Sequence, residues 1–442
     1  MNYHEAINYI HSFIPNKNTK WNKNRGLEKI TYLLKRLGNP HHGQHFVHVG
    51  GTAGKGSTAT MIASILQAAG YKTGLHVSPH TITVRERAQI NGKNIDKRRF
   101  VSLVENIVPE IDVMLKEFGV PPSYFELLLA IAFHYFRDEE TDINVIEVGL
   151  GGKLDGTNVI NSRYQVLTNI GLEHTEILGD TKELILKDKQ EIIKDESFVV
   201  TGIQEKELLD ILKKKVRSTK STLFCLAQDF SLESSDTSTI SNHRFDFHFP
   251  GNTFNVKNIS LTLPGLFQIE NAALASAITS LMINEFPDVT SESIRQGLMR
   301  AYIPGRFQVL SNTPLIIIDG AHIPDKIQKL VDSLNYYYPK KKFITIFRFK
   351  KRKDINQSLQ ALTRIAHTML ITGSRRPSDM GTPERFTDTD ISTAYAQGNF
   401  EVIYKPSEAM ERAKQLQKEH PDCGILATGS LFMISDLLQN AG

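Results

Sequence analysis

Residues 45–61 read HFVHVGGTAGKGSTATM, and the rest of the chain is best interpreted around this stretch. Its first residues predict a buried strand, small residues and glycines follow, and a helix is expected to open at Ser57–Thr58. Glycines let the backbone turn tightly and aim N–H groups at an anion. We therefore predict a phosphate-binding loop, although Gly56 separates Lys55 from Ser57 and the Walker spacing is not met. The alternative is a glycine-rich turn that binds nothing.

The composition of the chain is that of an ordinary globular protein. Its 442 residues are 40% hydrophobic and 23% charged, and its length predicts two to three domains. The net charge is only +4, so we expect a small anion rather than nucleic acid as the partner. No stretch of the sequence approaches the roughly 18 uninterrupted apolar residues of a membrane span.

The cysteines and the N-terminal residues indicate the cellular compartment of the protein. Cys225 and Cys423 are far apart in the sequence and have no histidine pair nearby. They support neither a disulfide framework nor a thiolate zinc site, so we expect a cytoplasmic protein with reduced thiols. The first residues, MNYHEAINYIHSFI, mix polar side chains into the apolar positions, which is not typical of a signal peptide.

The pattern of strands and helices predicts an α/β fold. Strand and helix patterns alternate up to about residue 226, as in a doubly wound sheet. Residues 227–263 change character: HRFDFHF at 243–249 alternates strictly between polar and apolar side chains, and TFNVKNISLTL at 253–263 alternates again, which predicts a small antiparallel patch. A second strand–helix pattern follows a hinge near residue 304. We therefore expect a P-loop ATP-binding domain over residues 1–304 that contains the patch, and a Rossmann-like domain over 305–442.

A carboxylate is expected beside the phosphate loop. Glu147 ends the apolar strand DINVIEV, and the carboxyl ends of parallel strands meet at one edge of a sheet. Magnesium prefers oxygen ligands and keeps several waters, so Ser57 and Glu147 are enough protein ligation. His174 follows the next strand, but a hydrogen-bonded loop histidine is the alternative for this residue. The candidate site is therefore a metal–nucleotide site that also includes Lys55.

Two further segments carry polar side chains at strand ends. Residues 78–92 form a polar segment too long for a simple turn, so they are either a substrate lid or a plain surface excursion. Asp319 and His322 follow an apolar strand, at the edge where α/β sheets bind ligands. Arg306 lies shortly before that strand, and helix or turn capping is the alternative role for Asp319.

Lysine-rich stretches are less informative. Taken alone, Lys189 lies on a helix with several other lysines, which is typical of a solvated helix face. Residues 340–342 and 348–353 form two basic runs that are either solvated surface or a site for an acidic substrate.

The motifs together resemble the folylpolyglutamate synthase and dihydrofolate synthase family of the Mur ligase superfamily. The resemblance covers nearly the whole chain, and the order and spacing of the motifs make it specific. The motifs are GTAGKGS at 51–57, SPH at 78–80, ERAQING at 86–92, YFELLLAIAFHYF at 124–136, EVGLGGKLDGTNVI at 147–160, TNIGLEHTEILGDT at 168–181, PGLFQIENAALA at 264–275, PGRFQV at 304–309, DGAH at 319–322 and ATGSL at 427–431.

The resemblance implies an ATP- and magnesium-dependent ligase that adds L-glutamate to folate through an acyl phosphate, and it leaves open whether dihydropteroate is a further acceptor. The two domains of such a ligase close over ATP and folate, and we expect a monomer. Two alternatives stay open: a Mur-type ligase for another acid and amine pair, and a non-catalytic ATP-binding descendant.

The resemblance also assigns residues to roles. Nucleotide contacts match Gly51, Thr52, Gly54, Lys55, Gly56, Ser57, Thr58, Asn271, Arg306 and Asp319. Magnesium ligands match Ser57, Ser78, Glu147 and His174. Folate contacts match Ser78, Pro79, Arg87 and Phe125. Catalytic positions match Lys55, Lys189, Arg306 and His322, and the lysine at position 189 is carbamylated in the family.

Several residues depart from the family pattern. The family usually has Asn at the position of Ala53, His at that of Phe267, and Asn at that of Ile323. The lysine is usually preceded by Glu and followed by Ala–Gly, whereas this chain has Asp188 and then Gln190–Glu191. The departures lie at the expected ATP and lysine sites.

Overall fold

An eight-stranded sheet organises the first of two units in this chain. The computed structural model describes residues 1–14, 26–234, 240, 242–252, 254–348, 355–372 and 399–440. One unit comprises Met1–Ser238, His243–Thr262 and Gln268–Tyr302, and the other comprises Thr239–Asn242, Leu263–Phe267 and Ile303–Gly442. The simpler division into residues 1–304 and 305–442 stays a prediction.

The large sheet is mainly parallel, and β1, which leads into the predicted phosphate loop, lies among its central strands. The strand order is β4-β3-β2-β5-β1-β6-β7-β8. Six strands are parallel, and the short β3 and β4 add an antiparallel edge. All residues of β1 and β5 are buried, as expected for strands covered on both faces. The strands are β1 Phe46–Gly50, β2 Thr73–His76, β3 Gln89–Ile90, β4 Lys93–Asn94, β5 Ile143–Glu147, β6 Tyr164–Leu167, β7 Phe198–Thr201 and β8 Thr222–Cys225.

Helices accompany this sheet, as the α/β prediction requires. Helix α3 begins at Lys55, earlier than predicted, because Gly54 takes a left-handed conformation with φ of 84° and ends the loop there. The helices are α1 Tyr3–His11, α2 Glu28–Arg36, α3 Lys55–Ala68, α4 Lys97–Phe118, α5 Tyr124–Asp138, α6 Thr175–Leu178, α7 Lys182–Lys189, α8 Lys206–Ser218, α9 Phe267–Ser280 and α10 Ser291–Arg300.

A three-stranded antiparallel sheet follows, as the alternating pattern predicts. Its strands are β9 Ser231–Ser234, β10 His243–Phe249 and β11 Phe254–Leu261, in the order β11-β10-β9. Phenylalanines at alternate positions of β10 are buried, and Phe245 pairs with Ile259 of β11. The period of two therefore places one face of this sheet in the core.

The second unit contains a six-stranded sheet in the order β12-β13-β17-β14-β15-β16. Among the described strands of this sheet, one pairs antiparallel: β12, an edge strand that the sequence did not predict. The apolar pattern of residues 355–366 predicts a helix over the whole stretch, but the helix ends at Thr363 and Ala366 begins the next strand. The elements are β12 Gln308–Asn312, β13 Leu315–Ile318, α11 Pro324–Tyr337, β14 Phe343–Phe347, α12 Ile355–Thr363, β15 Ala366–Ile371, β16 Asn399–Val402, α13 Pro406–Glu419, β17 Gly424–Thr428 and α14 Leu431–Asn440. Among the described residues, no helix has both the length and the hydropathy needed to cross a membrane.

Candidate active site

The predicted phosphate loop between β1 and α3 is held by residues just after β6. The backbone N–H of Thr52 donates to the carbonyl of Asn169 at 2.9 Å, and that of Ala53 donates to Asn169 Oδ1 at 2.9 Å. Thr168 Oγ1 donates to the carbonyl of Ala53 at 2.6 Å. A Cβ on Gly51 would lie 2.0 Å from Thr168 Oγ1, so only glycine fits there. Sequence reasoning missed Thr168 and Asn169, although the motif TNIG at a strand end was a signal for them.

The first turn of α3 faces the loop and a residue of α9. No side-chain hydrogen bond caps this helix at Gly54, so its N-terminal N–H groups suit an anion. Ser57 and Thr58 lie in the first turn and are buried. A Cβ on Gly54 would lie 2.3 Å from Asn271 Oδ1, and Asn271 Nδ2 donates to Gln268 Oε1 at 2.8 Å. The structure therefore brings Asn271 against the loop, as the resemblance implies.

Two lysine amines converge on one carbonyl oxygen. Lys55 Nζ donates to Gly51 O at 3.1 Å and to Thr52 O at 3.3 Å, and Lys189 Nζ donates to Gly51 O at 2.9 Å. Lys189 is only 3% exposed, so the solvated helix face suggested by its lysine-rich surroundings is wrong. Burial, reinforced by the charge of Lys55, lowers the pKa of Lys189 to about 7, although nearby acidic groups, first among them Glu173, oppose this shift. A substantial share of Lys189 is therefore a neutral, nucleophilic amine at neutral pH.

Glu147 ends β5 beside the loop, as predicted. Its side chain is buried, and Oε2 accepts the backbone N–H of Ser78 at 2.7 Å. A Cβ on Gly56 would lie 3.2 Å from this oxygen, so the glycine that breaks the Walker spacing keeps room beside the carboxylate. The described residues contain no group of three or more His, Cys, Asp or Glu side chains that could hold a metal. A carboxylate with the hydroxyl of Ser57 nevertheless fits Mg²⁺, which keeps several waters.

His174 is the N-cap residue that precedes α6, and it takes a left-handed conformation with φ of 55°. Its Nδ1 lies 3.8 Å from Glu176 Oε1, and its side chain is 32% exposed. A metal role for His174 stays a prediction.

The polar segment after β2 contains three of the residues matched to folate contacts, namely Ser78, Pro79 and Arg87, and the fourth, Phe125, lies on α5. Arg87 is buried, its Nε donates to His80 Nδ1 at 3.2 Å, and its guanidinium lies 5.6 Å from the centroid of the Tyr124 ring. Burial lowers the pKa of Arg87. A Cβ on Gly149 would lie 2.7 Å from the ring of Phe125, so this ring reaches the glycine loop after β5. Pro79 lies at the start of the segment.

In the second unit, Asp319 follows β13 and is buried. Its Oδ2 accepts the backbone N–H of Phe307 and its Oδ1 that of Ala321, both at 2.7 Å. Burial raises the pKa of Asp319, and the nearby charge of Arg306 opposes that rise. The Nδ1 of His322 lies 2.9 Å from a backbone carbonyl oxygen of the same turn. The three residues predicted here therefore meet at one strand end, and the capping alternative for Asp319 has direct support.

The departures from the family pattern have local consequences. Ile323 precedes α11 as its N-cap, where its side chain makes no capping hydrogen bond, and it is 7% exposed. Phe267 packs against the apolar core of the second unit.

The two basic runs lie partly within the described residues. In the first run, Lys341 and Lys342 donate to backbone carbonyls. Residues 349–353 lie outside the described residues.

Comparisons with known proteins agree with this geometry. Residues 122–279 match the Mur ligase middle domain, and residues 305–431 match the Mur ligase, glutamate ligase domain. The folylpolyglutamate synthase of Lacticaseibacillus casei is 31% identical over 444 residues, which cover 99% of this chain and 98% of the relative. The chain belongs to the folylpolyglutamate synthase and dihydrofolate synthase family.

Further members of the folylpolyglutamate synthase and dihydrofolate synthase family extend the match. The dihydrofolate synthase/folylpolyglutamate synthase of Bacillus subtilis is 29% identical over 438 residues, 98% of each chain. A solved FPGS–AMPPCP–folate complex has a TM-score of 0.83 and 30% identity, and the match covers 100% of both chains. The α/β fold and the suspected family are thereby confirmed.

Proposed function

We propose that this chain is an ATP-dependent ligase that joins L-glutamate to a reduced folate. The observation that carries the proposal is the loop between β1 and α3, where two lysine amines lie beside the uncapped first turn of a helix. Relatives over nearly the full chain are named folylpolyglutamate synthase, and a similar solved structure is named as a complex with an ATP analogue and folate. Dihydropteroate is a second candidate acceptor, because the relative from Bacillus subtilis is also named dihydrofolate synthase.

Lys55 is the residue that we assign to the phosphates of ATP. Its amine donates to the carbonyls of Gly51 and Thr52. Phosphate oxygens are stronger acceptors for an ammonium than carbonyl oxygens are. Together with the N–H groups of Gly54, Gly56 and the α3 turn, Lys55 would stabilise the charge that develops during phosphoryl transfer.

Glu147 and Ser57 are the residues that we assign to Mg²⁺, with Ser78 and His174 as further candidates. The ion would neutralise charge on the phosphates. We assign Lys189 to supply another oxygen ligand after carbamylation. In that reaction the neutral amine forms an N–C bond to CO₂ and releases a proton, which gives an anion where a cation stood. A pKa near 7 makes the neutral amine available.

The proposed reaction has two steps. A carboxylate oxygen of the acceptor attacks the γ-phosphorus of ATP, the bond to ADP breaks, and an acyl phosphate forms. The neutral amine of glutamate then attacks the acyl carbon, phosphate leaves, and the new amide nitrogen gives up a proton. We assign acceptor binding to Ser78, Pro79, Arg87 and Phe125. Thr52, Thr58 and Asn271 are assigned to nucleotide binding, with Arg306 and His322 also supporting the chemistry. Asp319 is assigned an indirect part, because it fixes the backbone at Phe307 and Ala321, next to Arg306 and His322.

The test is ADP release by the purified protein. With ATP, Mg²⁺ and L-glutamate, release should require tetrahydrofolate or dihydropteroate, and mass spectrometry should show an acceptor heavier by one glutamyl residue. Removal of magnesium with EDTA should stop release. If neither pterin acceptor supports release while another acid and amine pair does, the chain is a ligase with a different substrate. Tight AMPPCP binding without turnover of any pair would indicate the non-catalytic alternative.

We also propose that the enzyme is a cytoplasmic monomer. Its two cysteines, Cys225 and Cys423, are free and buried, which suits a reducing compartment. Light scattering during size exclusion should give the mass of one chain, 49.8 kDa. A mass twice as large would contradict the monomer.

A further inference from the structure

One buried carboxylate binds three consecutive backbone N–H groups in the segment that follows β2. Glu86 is 8% exposed. Its Oε2 accepts the N–H of Thr81 at 2.7 Å, and its Oε1 accepts those of Ile82 and Thr83, each at 2.6 Å. A capping interaction with a short turn accounts for the bond to Thr83 only. The other two bonds reach further back along the chain.

These bonds matter because the segment has little regular structure. Between β2 and β3 the backbone forms a single short 3-10 turn, Val84–Arg87. Near the start of this segment the backbone N–H of Ser78 donates to Glu147 Oε2 at 2.7 Å, and near its end the carbonyl oxygen of Arg87 lies 2.7 Å from His76 Nδ1. Glu86 therefore supplies the fixed point between the two ends.

We propose that Glu86 is a positioning residue for the acceptor-binding segment. Its carboxylate fixes residues 81–83, and this sets the places of Pro79 on one side and Arg87 on the other. The proposal rests on the proposed function, which assigns both of these residues to the acceptor. In this role Glu86 binds backbone N–H groups of the segment and does not contact the acceptor itself.

The substitution Glu86→Gln tests this role with almost no change in shape. The amide oxygen can keep the two bonds to Ile82 and Thr83. The amide NH₂ then meets the N–H of Thr81, so two donors face each other and the loop loses its upstream bond. The variant should therefore loosen the loop near Pro79 and leave the phosphate loop intact.

The experiment measures ADP release while each substrate is varied in turn. For Glu86→Gln we expect KM for tetrahydrofolate to rise about tenfold, with kcat and KM for ATP within about twofold of the wild type. Glu86→Ala should raise KM for tetrahydrofolate further. The matched control is Glu5→Gln, because Glu5 Oε2 also accepts a backbone N–H, that of Asn2 at 2.8 Å, at the start of α1. The control should change neither KM.

Two results would overturn the inference. One is a fall in kcat with an unchanged KM for tetrahydrofolate, and the other is an equal rise in both KM values, since either shows no specific effect on the acceptor. Hydrogen exchange separates this failure from a failure of the proposed function. The amides of residues 81–83 should exchange faster in Glu86→Gln even if tetrahydrofolate is the wrong acceptor, and unchanged exchange would show that Glu86 does not hold the loop.

Discussion

Two regions of the molecule use ionisable side chains in opposite ways. One is the phosphate loop of the first unit, and the other is the strand end after β13 in the second unit. In the loop, the amines of Lys55 and Lys189 both donate to the carbonyl of Gly51. After β13, the two carboxylate oxygens of Asp319 accept backbone N–H groups from Phe307 and Ala321. The loop thus directs two amines at one weak acceptor, whereas the strand end already has strong donors for its anion.

This difference separates side chains that are available to a ligand from side chains that shape the backbone. An ammonium forms stronger hydrogen bonds to phosphate oxygens than to carbonyl oxygens, so a bound phosphate would stabilise it. A buried carboxylate that already accepts two charge-assisted hydrogen bonds is stabilised little by a further partner. Removal of one donor, in contrast, lowers the free energy of unfolding. We therefore expect substitutions in the loop to affect turnover first, and substitutions at Asp319 to affect stability first.

The largest expected effect is that of Lys55→Met. The change removes the charge assigned to the phosphates and keeps most of the apolar stem, so ADP release should fall about 10³-fold with little change in thermal stability. The control is Lys187→Met, because Lys187 is exposed on α7. A rate within tenfold of the wild type would show that the loop does not act on phosphate as proposed.

Asp319→Asn should mainly affect stability. The amide can accept one of the two backbone N–H groups, but its NH₂ then faces the other donor, so the free energy of unfolding should fall by about 2 kcal/mol. Urea denaturation measures this value, with Asp332→Asn on the exposed face of α11 as the control. Unchanged stability combined with a tenfold higher KM for ATP would reverse the comparison and make Asp319 a ligand contact.

The sequence predicts the surroundings of the loop better than its contacts. Local apolar patterns predict the strands β1 and β5 and the position of Glu147 at the end of β5. The metal role of Glu147, which rests on the rule that ligands bind at carboxyl ends of parallel strands, stays a prediction. Thr168 and Asn169 were missed because their bonds join residues more than a hundred positions apart. Local composition says nothing about such pairs.

Burial and edge pairing also escape local patterns. Lys189 looked solvated because its neighbours in the sequence are lysines, yet α7 turns this one side chain inward to Gly51. The strand β12, with the sequence QVLSN, has no clear alternation and forms because its backbone pairs with β13. In both cases tertiary contacts override the local preference.

The pH dependence of stability tests whether Lys189 is held as a buried amine. Its pKa is about 7 in the folded state against 10.5 for the free side chain, so between these values the unfolded state binds a proton that the folded state lacks. The free energy of unfolding should therefore rise with pH in this window, and Lys189→Met should remove that part of the rise. Between pH 7 and 8 the wild type should gain about 1 kcal/mol more than the variant. The measurement is urea denaturation in CO₂-free buffer, and equal gains would show that Lys189 is not held as a buried amine.

The smallest expected effect is at Ala53, the loop residue that departs from the family pattern. Its N–H and carbonyl are already bonded to Asn169 and Thr168, so the backbone does not need the side chain at this position. Ala53→Asn therefore adds an amide beside the phosphates without breaking a bond, and one new hydrogen bond should raise kcat/KM for ATP about threefold. The control is Ala53→Ser, which distinguishes an effect of the amide group from an effect of any polar side chain at this position. An equal gain with serine would assign the effect to polarity, and an unchanged rate with asparagine would show that the loop binds ATP through its backbone and Lys55 without help from position 53.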